Sequence, residues 1–103
     1  MLVNEKSNMA LTVSFFDDTG AAVVPDSATY RIDDLTSSTS ILAPTALTPA
    51  TVVTIQITSA QNAILNSANQ FEDRVITVEF VYATTKRGTD EYRYEVRNLY
   101  GVS

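Results

Sequence analysis

The chain has 103 residues, 45% of them hydrophobic, with 12 acidic and 7 basic side chains and a formal net charge of −5. That length and composition suit one soluble domain with a small core, and the acidic balance argues against nucleic acid as the main partner, because phosphate binding needs a concentrated basic surface. Cysteine and histidine are both absent, which removes disulfides, thiolate metal sites, the commonest general base and the imidazole ligands.

Residues 1–8 read as a polar lead. No basic segment precedes a long apolar run there, so no signal peptide is expected and synthesis in the cytoplasm is. No stretch reaches the roughly 18 apolar residues of a spanning helix, and no membrane partner is expected. Residues 9–17 alternate as a first strand, with Leu11, Val13 and Phe15 on one face. Asp17-Asp18-Thr19-Gly20 reads as a turn, since Asp bonds nearby amides through its side chain and Gly accepts positive φ. Residues 21–24 continue extended to Pro25, whose missing donor suits an edge. Residues 28–35 form the next strand, with Tyr30 and Ile32 inward and Asp33-Asp34 at its exposed end.

From Leu35 to Phe71 there is not one charged residue. At ordinary charged content several would be expected over that length. Residues 40–43 fit a short strand, and residues 44–50 a loop holding Pro44 and Pro49. Residues 51–58 are a strong strand, with Val53, Ile55 and Ile57 on one face and Val52, Thr54 and Gln56 on the other. Ser59 is an expected N-cap for one or two helical turns ending near Asn66. Two β-patterned runs follow, 74–84 and 90–99, joined by Thr85-Lys86-Arg87-Gly88-Thr89 as a hairpin linker. Ile76, Val78, Phe80 and Tyr82 share one face of the first run; Tyr92, Tyr94 and Val96 share one face of the second, with Arg93, Glu95 and Arg97 opposite.

The expected fold is therefore all-β: an antiparallel, immunoglobulin-like β-sandwich of six or seven strands with one short helical turn before the next-to-last strand. A single domain covers residues 1–103, and residues 99–103 are expected to pack as a tail.

Four acidic pairs, Asp17/Asp18, Asp33/Asp34, Glu72/Asp73 and Asp90/Glu91, lie at strand ends. None belongs to a spaced calcium loop, and they read as solvated turn ends rather than metal ligands. No nucleophile motif or glycine-rich phosphate loop occurs, so neither an enzyme nor a cofactor is expected. Lys86 and Arg87 form an expected basic hairpin tip. They either protect an edge against aggregation or meet an acidic protein partner or a nearby nucleic-acid backbone, and edge protection is the favoured reading. The uncharged stretch is the main candidate interface, because cores of protein interfaces are depleted in charge. Its expected contact residues are Leu35, Ile41, Leu42, Pro44, Leu47 and Pro49, joined by Tyr100 and Val102 of the apolar tail.

In pattern and order, residues 11–17, 28–34, 72–80 and 94–99 resemble the small stand-alone immunoglobulin-like proteins of tailed bacteriophage particles. The resemblance implies a non-enzymatic virion protein, a capsid decoration (cement) protein or a neck/tail accessory. It would dock in symmetric copies on major capsid, neck or tail proteins. The alternative is a carbohydrate- or host-surface-binding module presenting Tyr100 or Tyr82 as a stacking platform.

Overall fold

The computed structural model describes residues 2–99; Met1 and Tyr100–Ser103, including the expected contacts Tyr100 and Val102, lie outside the described residues. Among the described residues seven strands form two sheets: β1 (Leu2–Asn4), β2 (Met9–Ser14), β3 (Ser27–Asp34), β4 (Thr39–Leu47), β5 (Val52–Ile57), β6 (Phe71–Tyr82) and β7 (Lys86–Arg97). The large sheet has the order β1-β7-β6-β3-β4 and the small sheet is β2-β5. All pairings are antiparallel except β1 with β7, which is parallel. The all-β expectation holds. The sheets are divided five and two, however, and β1 arises within the lead at residues 1–8.

The two inner faces meet in one core. Val13, Phe15, Ile55 and Ile57 of the small-sheet layer pack against Ile32, Ile76, Val78, Phe80, Tyr94 and Val96 of the large sheet. Phe15 crosses between the layers and meets Phe80 edge-on at 4.9 Å between ring centroids. Phe80 in turn stacks on Tyr82 at 5.8 Å. The alternating faces expected for β5, β6 and β7 supply most of these residues, as a period of two requires for a sheet buried on one side. The molecule is elongated, 49 × 21 × 20 Å, because β6 and β7 pair over their full twelve residues.

Three expected elements are corrected. The hairpin turns at Ala83-Thr84-Thr85, with Tyr82 paired to Lys86, so Thr85–Thr89 is not the linker. Ala83 and Thr84 adopt φ of 48° and 68°, a costly conformation for a β-branched residue. The Asp26 carboxylate holds it by accepting from the Thr84 N–H at 2.8 Å. Gly88 lies inside β7 opposite Phe80, where a Cβ would collide with the Phe80 ring. Glycine is needed here for close approach of an aromatic ring, not for a turn.

Pro44 is the second correction. It lies inside β4 rather than opening a loop. β4 is the outer strand of its sheet, and a register shift between Tyr30 and Ile32 absorbs the extra residue; an edge with a bulge tolerates a missing donor.

The third is the helical turn: among the described residues there is no helix. Thr58, not Ser59, makes the reciprocal cap, its hydroxyl accepting from the Gln61 N–H and its own N–H donating to Gln61 Oε1. One turn closes, Asn62 N–H to Thr58 O at 3.2 Å, and the chain then leaves helical geometry.

Gly88→Ala is expected to cost about 1–3 kcal/mol through overpacking against Phe80. The measurement is the urea midpoint at unchanged m-value; a wild-type midpoint would show that Phe80 does not occupy the space over Gly88.

Candidate functional site

Charge is distributed unevenly over this fold. The outer face of the large sheet is chequered with Arg31, Asp33, Asp73, Glu79, Glu91, Arg93, Glu95 and Arg97, and Arg31 bonds Asp33 at 3.2 Å. The outer face of the small sheet carries Ala10, Thr12, Ser14, Val52, Thr54 and Gln56, all exposed and none charged. The register explains this. β2 comes from a second uncharged run, residues 7–16, and pairs residue for residue with β5 from the long uncharged stretch. Phe16, 53% exposed, follows β2 on the same side as Ser14, and Val52, 52% exposed, pairs with Ser14. Residues 7–16 were not among the expected contacts. Their lack of charge was visible in the sequence, but their pairing with β5 is a long-range fact.

The flank beside β5 is also uncharged. Tyr30, Thr45, Leu47, Val53 and Ile55 line an open groove between the edges of β4 and β5. At the other end of β4, Ile41 shares a shallow apolar concavity with Ala60, Ala63 and Leu65. Leu65 is 48% exposed; Leu35, after β3, is 42% exposed but lies beside Asp73, Arg93 and Glu95 on the charged side. Of the expected contact residues, Ile41 and Leu47 line these two hollows and Leu35 and Pro49 are exposed. Leu42 is half-buried and packs on the core. Pro44 lies apart from them, beside Thr29, Arg31, Thr77 and Glu79 on the charged side.

The segment between β5 and β6 has little regular structure, so its backbone groups need partners. A buried ion cluster supplies them. Arg74 on β6 is fully buried with Asp34 and Glu72. Its Nε donates to Asp34 Oδ1 at 3.3 Å and one terminal nitrogen to Glu72 Oε1 at 2.9 Å. The same guanidinium donates to the carbonyls of Gln61 and Ala63. Those carbonyls would accept the next bonds of a helix, and the Leu65 and Asn66 N–H groups that would help continue it donate instead to Glu72 at 2.9 and 3.1 Å. The ion cluster therefore displaces the expected helix. Burial pushes the Glu72 carboxyl up, but the donors from Leu65, Asn69, Asn66 and Arg74 outweigh it and hold its pKa below the usual 4.5. Two of the acidic pairs expected to be solvated turn ends thus place one member in the interior, Asp34 and Glu72. Asp34 is satisfied by the Ser37 N–H and hydroxyl as well.

Asn62 ties this segment to the N-terminal lead. It is buried, donates to Ser7 O at 2.8 Å and accepts from the Tyr94 hydroxyl at 3.0 Å. Burial pushes the Tyr94 pKa up, which keeps the hydroxyl a neutral donor.

The other polar features have local explanations. Asp17 Oδ1 accepts from the Thr19 hydroxyl and from the N–H groups of Thr19 and Ala21, which lowers its pKa, and Gly20 has φ of 86°. The turn read from the sequence is formed this way. Lys86 and Arg87 open β7 beside the tip rather than crowning it, and Lys86 bonds Asp18 at 2.9 Å. Among the described residues no group of three or more acidic side chains could hold a metal ion. Tyr82 is 7% exposed and stacked in the core, so it offers no platform to a sugar. The comparisons add no identity: no family model, curated protein or solved structure matches this chain.

Removing Arg74 leaves two carboxylates buried without their cation. Arg74→Met is expected to cost about 3–5 kcal/mol, read by urea denaturation at neutral pH. Because the folded Glu72 pKa lies below its unfolded value, its contribution is complete above about pH 4.5 and is lost as pH falls through the folded pKa. Glu72→Gln should be less stable than wild type at pH 7 and lose less further stability between pH 5 and pH 3. Parallel pH profiles for the two proteins would refute the assignment.

Proposed function

We propose that this chain is a non-enzymatic structural protein of a tailed bacteriophage particle, a capsid decoration or neck/tail accessory domain on a small immunoglobulin-like sandwich. The observation that carries the reading is the surface free of charge. One layer and one flank of the domain expose Thr, Ser, Ala, Gln and single apolar residues, while the opposite face exposes ion pairs. A surface depleted in Lys and Glu loses little side-chain entropy and little ionic hydration on contact. The absence of His and Cys and the commitment of Asp34, Glu72 and Arg74 to holding a loop favour docking over catalysis. The phage assignment itself rests on the resemblance of strand pattern and order.

The test is sedimentation of particles from the native source, probing each fraction for this chain. The reading requires the chain in the megadalton fractions, with copy number separating shell decoration from neck or tail. The double variant Phe16→Lys, Leu65→Lys adds charge at two exposed positions of the neutral surface and should fold normally. Its incorporation should drop at least about tenfold, since a buried unpaired charge costs well over 1.4 kcal/mol. Absence of the wild-type chain from particles overturns the proposal.

A further inference from the structure

Exposed strand edges invite pairing with other chains, and natural proteins blunt them with charge, proline or bulges. Each free edge of the large sheet follows this rule. Beyond the short β1, the outer edge of β7 carries Lys86, Arg87, Asp90, Glu91 and Arg93. The outer edge of β4 has no charge, but Pro44 and two register shifts interrupt it. β5 has none of these devices. Its six residues, Val52-Val53-Thr54-Ile55-Gln56-Ile57, include no charge and no proline, and they pair with β2 in unbroken register. Only one side of β5 has a strand partner among the described residues. Its other side borders the groove of about 510 Å³ toward β4.

β2 is also uncharged, but charge follows closely on its C-terminal end at Asp17 and Asp18. Asp18, just after β2, is bonded to Lys86 of β7. The β5 edge opens instead on the uncharged flank.

We propose that β5 is a self-association edge: two copies of this chain pair β5 to β5 antiparallel about a twofold axis, forming a four-stranded sheet β2-β5-β5-β2. The uncharged, unbroken pattern of β5, not the net charge, favours a second copy as the occupant. Two chains of net charge −5 repel, and an isologous contact places each surface against itself, so it is least costly where there is no charge. The strand is also self-complementary. With the axis at Ile55, Val53 meets Ile57 and Thr54 meets Gln56. Inward residues thus meet inward residues and polar outward residues meet each other. Pairing also takes the small sheet from two strands to four, and two strands alone have little stability. The dimer rests on the reading of this flank as a contact surface, but not on the presence of the chain in a particle.

The experiment is sedimentation velocity of the full chain from about 1 to 100 µM, the range in which a modest interface reveals itself. A species of twice 11.2 kDa, growing with concentration, is expected; a monomer throughout overturns the dimer. Thr54→Lys with Gln56→Lys puts like charges opposite each other whether the axis passes Thr54 or Ile55. It should raise the dissociation constant about tenfold or more with an unchanged far-ultraviolet circular dichroism spectrum, because both side chains are exposed. Thr54→Glu with Gln56→Glu should behave alike, and mixing the two variants should restore a dimer. A Lys variant that still dimerises as wild type, or a mixture that stays monomeric, rules out pairing through β5. These outcomes are read without particles, so they are separate from the co-sedimentation test above.

Discussion

The Arg74 guanidinium reconciles an irregular segment with a buried position. Residues 58–70 run across the end of the sandwich with almost no regular hydrogen bonding, yet Asn62 is buried and the backbone groups of Gln61, Ala63, Leu65 and Asn66 bond to side chains. An apolar residue at position 74 would fill the same volume and leave the carbonyls of Gln61 and Ala63 without donors. Burying a cation costs several kcal/mol in desolvation, so Asp34 and Glu72 must accompany it. Glu72 then accepts from Leu65, Asn66 and Asn69. The three charges therefore act less as an ion pair than as a template for a loop that has no charge of its own. The apolar concavity at Ile41, Ala63 and Leu65 owes its shape to that template.

Local pattern carried much of the architecture. The inward faces of β5, β6 and β7 and the Asp17–Gly20 turn followed from side-chain period and turn chemistry. What failed depended on partners distant in sequence. Gly88 suggested a turn, but its pairing with Phe80 centres the turn four residues earlier, at Thr84. Thr58–Gln61 holds a good helix-start signal, and the cap does form. The helix does not, because Arg74 and Glu72, more than ten residues downstream of that cap, take the next groups. Asp34 and Glu72 looked like solvated ends because each adjoins another acid. The alternation of Glu72 and Arg74 on one face of β6 was the clue that both turn inward.

The proposed contact surface was legible in part for the same reason. The long uncharged stretch stood out in one dimension, and Ile41, Leu47 and Leu65 belong to it. Residues 7–16 gain their significance only because β2 pairs with β5, so that two neutral segments merge into one neutral face. Pro44 shows the converse: it belongs to the uncharged stretch in sequence, and the bulge in β4 turns it toward Arg31 and Glu79.

The chemistry of that face also limits how it can bind. Anchoring residues at strong interfaces are mostly Trp, Tyr and Arg. The outer face of the small sheet offers Phe16 and Val52, surrounded by Thr, Ser, Ala and Gln. Such a surface desolvates cheaply but gains little per contact, so a single encounter is weak. Repetition compensates: once several copies are held on one scaffold, each further contact forms at high effective concentration without new interactions. A neutral, hot-spot-poor face therefore suits a component used in symmetric copies better than a solitary high-affinity receptor.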